Sequence, residues 1–580
     1  MSYRVLAPSD TGSKFVILEI TDIAGVNTRD KSMSRPPDQF HNLQNILLKG
    51  RGFEKRAGSQ PKGAFMPGDS VSSLGFLETD SGITPLAMVD SSLFKFVSGS
   101  WIQGDKMDYT ADRFASIVTM TTKSGSSLDS GTTTSGTTPY LIEDTAQTWT
   151  PGEHIGRCVV IRGEVKLITD NTTAILFLGD KLNSDTASFY QSQAYNIYAV
   201  APHAFIANGV DSVQKYDLTT TTPIDGTHVS GGKAFPIFSF LSTHQGRLVA
   251  STGTGNNNDR IFLTDQGIGE NITLDTNLNI NVNFFNDGDA VTAHGSLPLS
   301  NGSTLLVAKT RSVHAVDGTN ILNYISRPVF DNVGCIAPKT FKIMGGNAFF
   351  LSHLGVMSLG NSEGQRGLLD SPLPISDDIQ DEIDAFSYED KQAACAEFHE
   401  NRYYFQVGNK AWYYDIEASL RQQRHIWVPL SFPYAFNDIK EIDGDLYGGR
   451  QTSGQVYTIL TDTKDGTTNV SMVMETSDIT LPGISNMWVD RFEISAEEEL
   501  STILKLQISY DGSDFGPIVN NALDNANKVY SFPIGVRCKS FKLRLSETGS
   551  QTPSRIHLPI RIFLAVSDFG DGGSKQSSLS

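Results

Sequence analysis

The sequence predicts an all-β chain: a β-propeller of six to eight blades, with an inserted small β-barrel or sandwich and a C-terminal β-sandwich. Three observations carry that expectation. Short Val/Ile/Phe/Tyr runs alternate with turn residues throughout, and Gly alone occurs 52 times, which is the composition of many short strands. A unit of two apolar runs separated by a polar turn recurs about seven times. At 580 residues the chain is also too long for one hydrophobic core, so two to four domains are expected.

Residues 1–83 read as an extended N-terminal segment leading into the propeller. Arg35-Pro-Pro-Asp-Gln-Phe40 breaks regular structure, and His41–Lys49 fits either a helical turn or a strand. Arg51-Gly-Phe-Glu-Lys-Arg-Ala-Gly58 is a basic patch in an acidic chain. Its bland reading is a solvated loop. Its functional reading is a docking surface for a neighbouring subunit, with Arg51, Phe53, Lys55 and Arg56 as the contact residues.

The propeller is expected over 84–123 and 199–465. Its repeats include Ala204-Phe-Ile-Ala-Asn-Gly-Val-Asp211, Gly246-Arg-Leu-Val-Ala250, Thr304-Leu-Leu-Val-Ala308, Asn347-Ala-Phe-Phe-Leu351 and Arg402-Tyr-Tyr-Phe-Gln406. One small sheet cannot bury both faces alone, whereas sheets stacked about an axis cover one another. Consecutive sandwiches are the alternative. Residues 124–198 interrupt the repeat. Ser124–Thr138 has linker composition, and Tyr140–Tyr198 has a strand rhythm of its own, read as the inserted domain.

A short helix is expected after Ser376, with Asp377 and Asp378 in its first turn and Ile379 and Ile383 on one face. Residues 466–566 alternate well, as in Leu504-Lys-Leu-Gln-Ile-Ser-Tyr510 and Phe541-Lys-Leu-Arg-Leu545, and read as the C-terminal sandwich. Residues 567–580 read as a flexible Gly/Ser-rich tail.

Net charge is −18, which argues against a protein that grips nucleic-acid phosphates with clustered Lys and Arg. It leaves room for a conduit that lets DNA slide past an acidic wall. No apolar run approaches the roughly 18 residues of a membrane helix, and the start MSYRVLAPSD has no secretory signal. Cys158, Cys335, Cys395 and Cys538 are widely spaced and read as reduced buried thiols. Folding and assembly in a cytoplasm are expected.

Catalytic motifs are sparse. The one GxSxG, Gly360-Asn-Ser-Glu-Gly364, lacks the following helix of a nucleophile elbow. Gly253-Thr-Gly255 and Gly267-Ile-Gly269 lack the third glycine of a dinucleotide loop. No two histidines stand four apart in a zinc pattern. The enzyme rival is a propeller glycosidase, for which Asp287 and Asp289 could supply carboxylates, although turn aspartates are the simpler reading. Ser509-Tyr-Asp511 begins like a sialidase box, but Ser513 and Gly516 stand where Gly and Trp are required. The chain is therefore expected to be non-enzymatic, with no metal and no cofactor.

Six stretches stand in a telling order: Asn42-Leu-Gln-Asn45, Phe53-Glu-Lys-Arg-Ala-Gly58, Phe205-Ile-Ala-Asn-Gly-Val-Asp211, Gly246–Ala250 with Arg260-Ile-Phe-Leu-Thr-Asp265, Asn347–Leu351 with Pro374-Ile-Ser376, and Leu506-Gln-Ile-Ser-Tyr-Asp-Gly512. In that order they resemble the tail nozzle proteins (tail tubular protein B) and the packaged-DNA stabilisation proteins, or tail accessory factors, of short-tailed phages. The resemblance spans residues 40–565 apart from the insert, which departs from shorter members. It implies a ring of this chain, usually six copies, in a virion tail below the portal and adaptor rings. It also implies DNA passing without sequence recognition, and a surface for fibres or spikes. No catalytic residues carry over. A carbohydrate-binding propeller adhesin is the alternative from another class.

Overall fold

A computed structural model describes residues 2–4, 14–30, 39–104, 109–111, 113–182, 186–224, 236–253, 258–270, 289–299, 302–318, 324–360, 374–481, 486–497, 502–523, 529–547 and 555–566. The described chain is almost entirely antiparallel sheet. Among these residues no helix is long and apolar enough to cross a membrane.

Among the described residues, seven sheets follow one another along the chain. Their innermost strands are Val71–Thr79, Ser116–Thr132, Phe240–His244, Val291–Leu299, Lys342–Met344, Cys395–His399 and Phe436–Ile442. Each inner strand packs on the next, and the seventh packs on the first, so the circuit closes. This is the arrangement of a β-propeller. The core is divided accordingly into clusters between neighbouring sheets. Phe349 and Leu351 face the sixth sheet, whereas Ala348 and Phe350 face the fourth. Likewise Tyr403 and Phe405 face the fifth sheet, and Tyr404 faces the seventh. The two-residue period of a strand thus sends side chains to two apolar interfaces.

The circuit is closed by a strand from far away. Gly58–Pro61 pairs antiparallel with Val456–Asp462 and completes the seventh sheet. The first sheet begins at Val71 rather than near residue 84. Residues 1–83 are therefore not a lead-in segment. Lys14–Ile20 pairs with Arg555–Val566 and Phe40–Gln44 with Met472–Thr476, so the N-terminal strands complete both layers of the C-terminal sandwich. His41–Lys49 is strand, not helical turn.

The Ser124–Thr138 linker expectation is also corrected. Ser116–Thr132 is one long strand paired with Ala194–Ala207 across an irregularity between Ser124 and Asp129. Linker composition yields, on either side of that irregularity, to the ladder of a partner strand. The insert extends this hairpin with Leu141–Glu143, Cys158–Ile161, Glu164–Asn171 and Ile175–Leu178, around a core that includes Ile142, Trp149, Ile161 and Tyr195. It is fastened to the ring by buried charge: Lys166 to Asp265 at 2.8 Å, and Arg247 bidentate to Asp180 at 2.9 and 3.0 Å.

The helix after Ser376 forms as a 3-10 turn, Asp377–Ile379, followed by Gln380–Asp384, with Ile379 and Ile383 buried. Ser376 does not cap it. Its hydroxyl accepts from Val356 N at 3.0 Å instead. Asn361–Gly364 of the GxSxG run, Thr254-Gly255, Asp287 and residues 567–580 lie outside the described residues.

Candidate functional site: the axial cavity

The inner strands are sewn together by polar side chains at every seam. Ala115 N donates to Ser73 Oγ at 2.7 Å between the first and second sheets. Ser116 Oγ donates to Leu241 O and accepts from Leu241 N, joining the second and third. Ser242 and His294, then His244 and Ser296, join the third and fourth. Thr292 Oγ1 donates to Cys335 O, in the segment leading into the fifth sheet, at 2.7 Å. Glu397 of the sixth sheet accepts from Lys342 of the fifth at 2.9 Å and lies 3.4 Å from Lys440 of the seventh. Asp438 accepts from Leu74 N at 2.8 Å and returns the belt to the first sheet.

Inside this belt lies a cavity of about 720 Å³ on the axis, reached by all seven sheets. Its walls include Phe76, Phe114, Phe240, Phe341 and Phe398. One arc carries Lys339, Lys342, Glu397, Asp438 and Lys440. Burial pushes the Glu397 carboxyl up, but the Lys342 and Lys440 ammonium groups outweigh it and hold it below the ordinary value. Asp438 goes the other way, raised by burial against the pull of the same lysines. The opposite arc carries Ser242, Thr243, His294 and Ser296. Sequence reasoning missed both arcs, because their members lie on different repeats. The available signal was a polar residue in the first strand of successive repeats.

The expected docking set is mostly interior. Phe53 is fully buried in the core shared by the sandwich and the last sheets. Lys55 Nζ meets Glu547 Oε1 at 2.6 Å, both groups buried. Arg56 donates to Asn45 Oδ1 at 2.8 Å, to Asp465 Oδ1 at 3.0 Å and to Ser431 O, with its guanidinium 4.4 Å from the Phe432 ring centre. These three residues bind the sandwich to the ring within one chain. They are corrected as docking residues, since an interface needs side chains at the surface. Arg51 alone is exposed, on a cleft it shares with Arg421 and Pro559.

Asp289 accepts from Arg311 N at 2.8 Å, a turn role rather than a funnel role. Asp511 accepts from Lys539 N and Ser540 N in the sandwich, away from the axis. All four cysteines are buried and free, and burial pushes Cys158, Cys335 and Cys395 up to about 12. Among the described residues no group of three or more His, Cys, Asp or Glu could hold a metal ion.

No family model matches this chain, and no curated protein does. Solved structures that it resembles include an exo-β-1,3-galactanase from Phanerochaete chrysosporium, at 11% identity over 63% of this chain and 92% of that one, TM-score 0.22. Another is a glycoside hydrolase family 43 arabinoxylan arabinofuranohydrolase from Bacillus subtilis, at 11% identity over 74% and 99%, TM-score 0.20. A third is the WD40 domain of SCAP from fission yeast, at 8% identity over 70% and 98%, TM-score 0.27. Superpositions this loose assign no activity. Glycoside hydrolases are among these neighbours, and the expectation that the chain is not an enzyme is not carried further.

Proposed function

We propose that the chain is a ring subunit of a short phage tail, a nozzle or hub that closes and guides the DNA path. The observation that supports it most is the segment Phe53–Gly58. It resembles the nozzle family in sequence, and here it runs from the sandwich core into the strand that closes the ring. In this reading DNA passes between copies, not through one chain's axis. A sphere of about 720 Å³ is about 11 Å across, no wider than the major groove alone of duplex DNA, about 12 Å. The partners are further copies, with six expected, portal and adaptor rings, and fibres or spikes. The insert is the surface offered to fibres, and Arg51 remains a candidate contact. Native mass spectrometry tests this, with the protein alone and mixed with its portal–adaptor assembly. Closed rings on that platform support the nozzle. A monomer that ignores it overturns the reading.

A second reading is a propeller that binds or cleaves glycans at its axis. The cavity lies within the usual ligand range of roughly 300–1,000 Å³, has aromatic walls, and holds two carboxylates pushed in opposite directions, as an acid–base pair requires. Each carboxylate, however, is already engaged, Glu397 by lysines and Asp438 by a backbone N–H. Glycan binding or turnover that is lost in both Glu397→Gln and Asp438→Asn would favour this reading. No response across a glycan panel would remove it.

A further inference from the structure

The belt around the axis changes chemistry at one seam. Between the third and fourth sheets it consists of two reciprocal pairs: Ser242 Oγ with His294 Nδ1 at 2.6 Å, and His244 Nδ1 with Ser296 Oγ at 2.9 Å. Serine and histidine stand two apart on each strand and exchange places across the seam. Both imidazoles are buried, and the Nε2 of each has no hydrogen-bond partner among the described residues. A neutral imidazole tolerates this, since one nitrogen bonds serine and the other carries a proton or a lone pair. An imidazolium is disfavoured: it places a charge in a buried site and a donor at an Nε2 with no partner among the described residues.

The surroundings reinforce the neutral form. His244 faces Arg247 of the adjacent strand, itself held by Asp180 of the insert, and the Tyr324 ring at 6.2 Å. His294 meets the Phe240 ring edge-on at 5.0 Å, and Lys342 and Glu397 line the same cavity from the fifth and sixth sheets. Burial, with Arg247, pushes His244 down to about 4, and burial pushes His294 down to about 3 against a backbone hydrogen bond with Phe240 that favours its charged form. Relative to an ordinary histidine near 6.5, both are depressed. Their contribution is complete above about pH 6.5 and is lost as pH falls from there toward 4, because only the opened form takes up the protons.

We propose that the seam between strands Phe240–His244 and Val291–Leu299 is an acid-sensitive opening in the ring. On acidification these strands part while the Lys342–Glu397–Lys440 arc stays closed. The arc persists because Glu397 is held ionised by its lysines. The test is backbone hydrogen exchange at pH 7.5 and 5.0, corrected for intrinsic rates. Each histidine alone raises the open population at pH 5.0 by roughly 30-fold. Peptides over 240–244 and 291–299 should therefore lose protection, and those over 395–399 and 436–442 should keep it. In His244→Asn/His294→Asn the amide can still bond serine at the Nδ1 position but cannot titrate, so the pH effect should vanish. Equal loss in all sheets, or loss that persists in the double variant, overturns the proposal. If that variant does not fold, exchange of the histidine C2 protons in the natural protein decides. Midpoints below pH 5 for His244 and His294 support the seam, and midpoints near 6.5 overturn it.

Discussion

The ring and the sandwich bury apolar surface by different rules. Along Arg402–Val407 in the ring every residue is buried, because a sheet between two neighbours has no solvent face. Along Phe541–Glu547 in the sandwich buried and half-buried residues alternate strictly, because one face meets the other layer and one meets water. The regions share one apolar core, and buried ion pairs are set into their junction. Lys55–Glu547 anchors the connecting segment in the sandwich, and Arg56–Asp465 anchors it beside the seventh sheet. Burial is therefore cheap where strands supply two apolar faces. At the junction the apolar core also encloses ion pairs that must stay complete.

The sharpest way to break this arrangement is Lys55→Met. It leaves Glu547 buried without its cation and should cost about 3–5 kcal/mol, read as a lower midpoint of thermal unfolding for ring and sandwich together. Separate transitions would show instead that the junction does not couple them. Gly58→Ala acts on the ring alone. A Cβ there would lie 2.0 Å from Lys464 O, a backbone atom that cannot swing aside. Forced overpacking of this kind costs about 1–3 kcal/mol, and hydrogen exchange should rise first in Val456–Asp462. The smallest effect belongs to Arg561→Ala on the sandwich surface. Its pair with Glu19 at 3.0 Å is half-exposed, and the change should stay within about 0.5 kcal/mol. A loss as large as that of Lys55→Met would put the anchoring of the two regions elsewhere.

What the sequence made legible was local. Alternation announced the sandwich strands, and paired runs such as Asn347–Leu351 with Gly355–Gly360 announced ring hairpins, since these partners are close along the chain. The N-terminal strands misled because their partners lie hundreds of residues away, and no periodicity reports a distant ladder. Ser124–Thr132 misled because glycine and serine suit a linker until a neighbouring strand fixes their backbone. The basic patch misled most. Lys and Arg are rarely buried, and only the positions of Glu547 and Asp465 reveal that here they are. The axial residues were equally hidden, since Glu397 and Lys342 become neighbours only when the fifth and sixth sheets pack.

The closing strand also sets a schedule for synthesis. Gly58–Pro61 leaves the ribosome early, and its partner Val456–Asp462 is made almost four hundred residues later. At about 5–20 residues per second the wait is roughly 20–80 seconds. Through that interval the Lys14–Ile20, Phe40–Gln44 and Gly58–Pro61 strands all lack their edges, and six finished sheets stand as an open arc. A nascent chain of this design has reason to engage a holding chaperone until its last hundred residues appear.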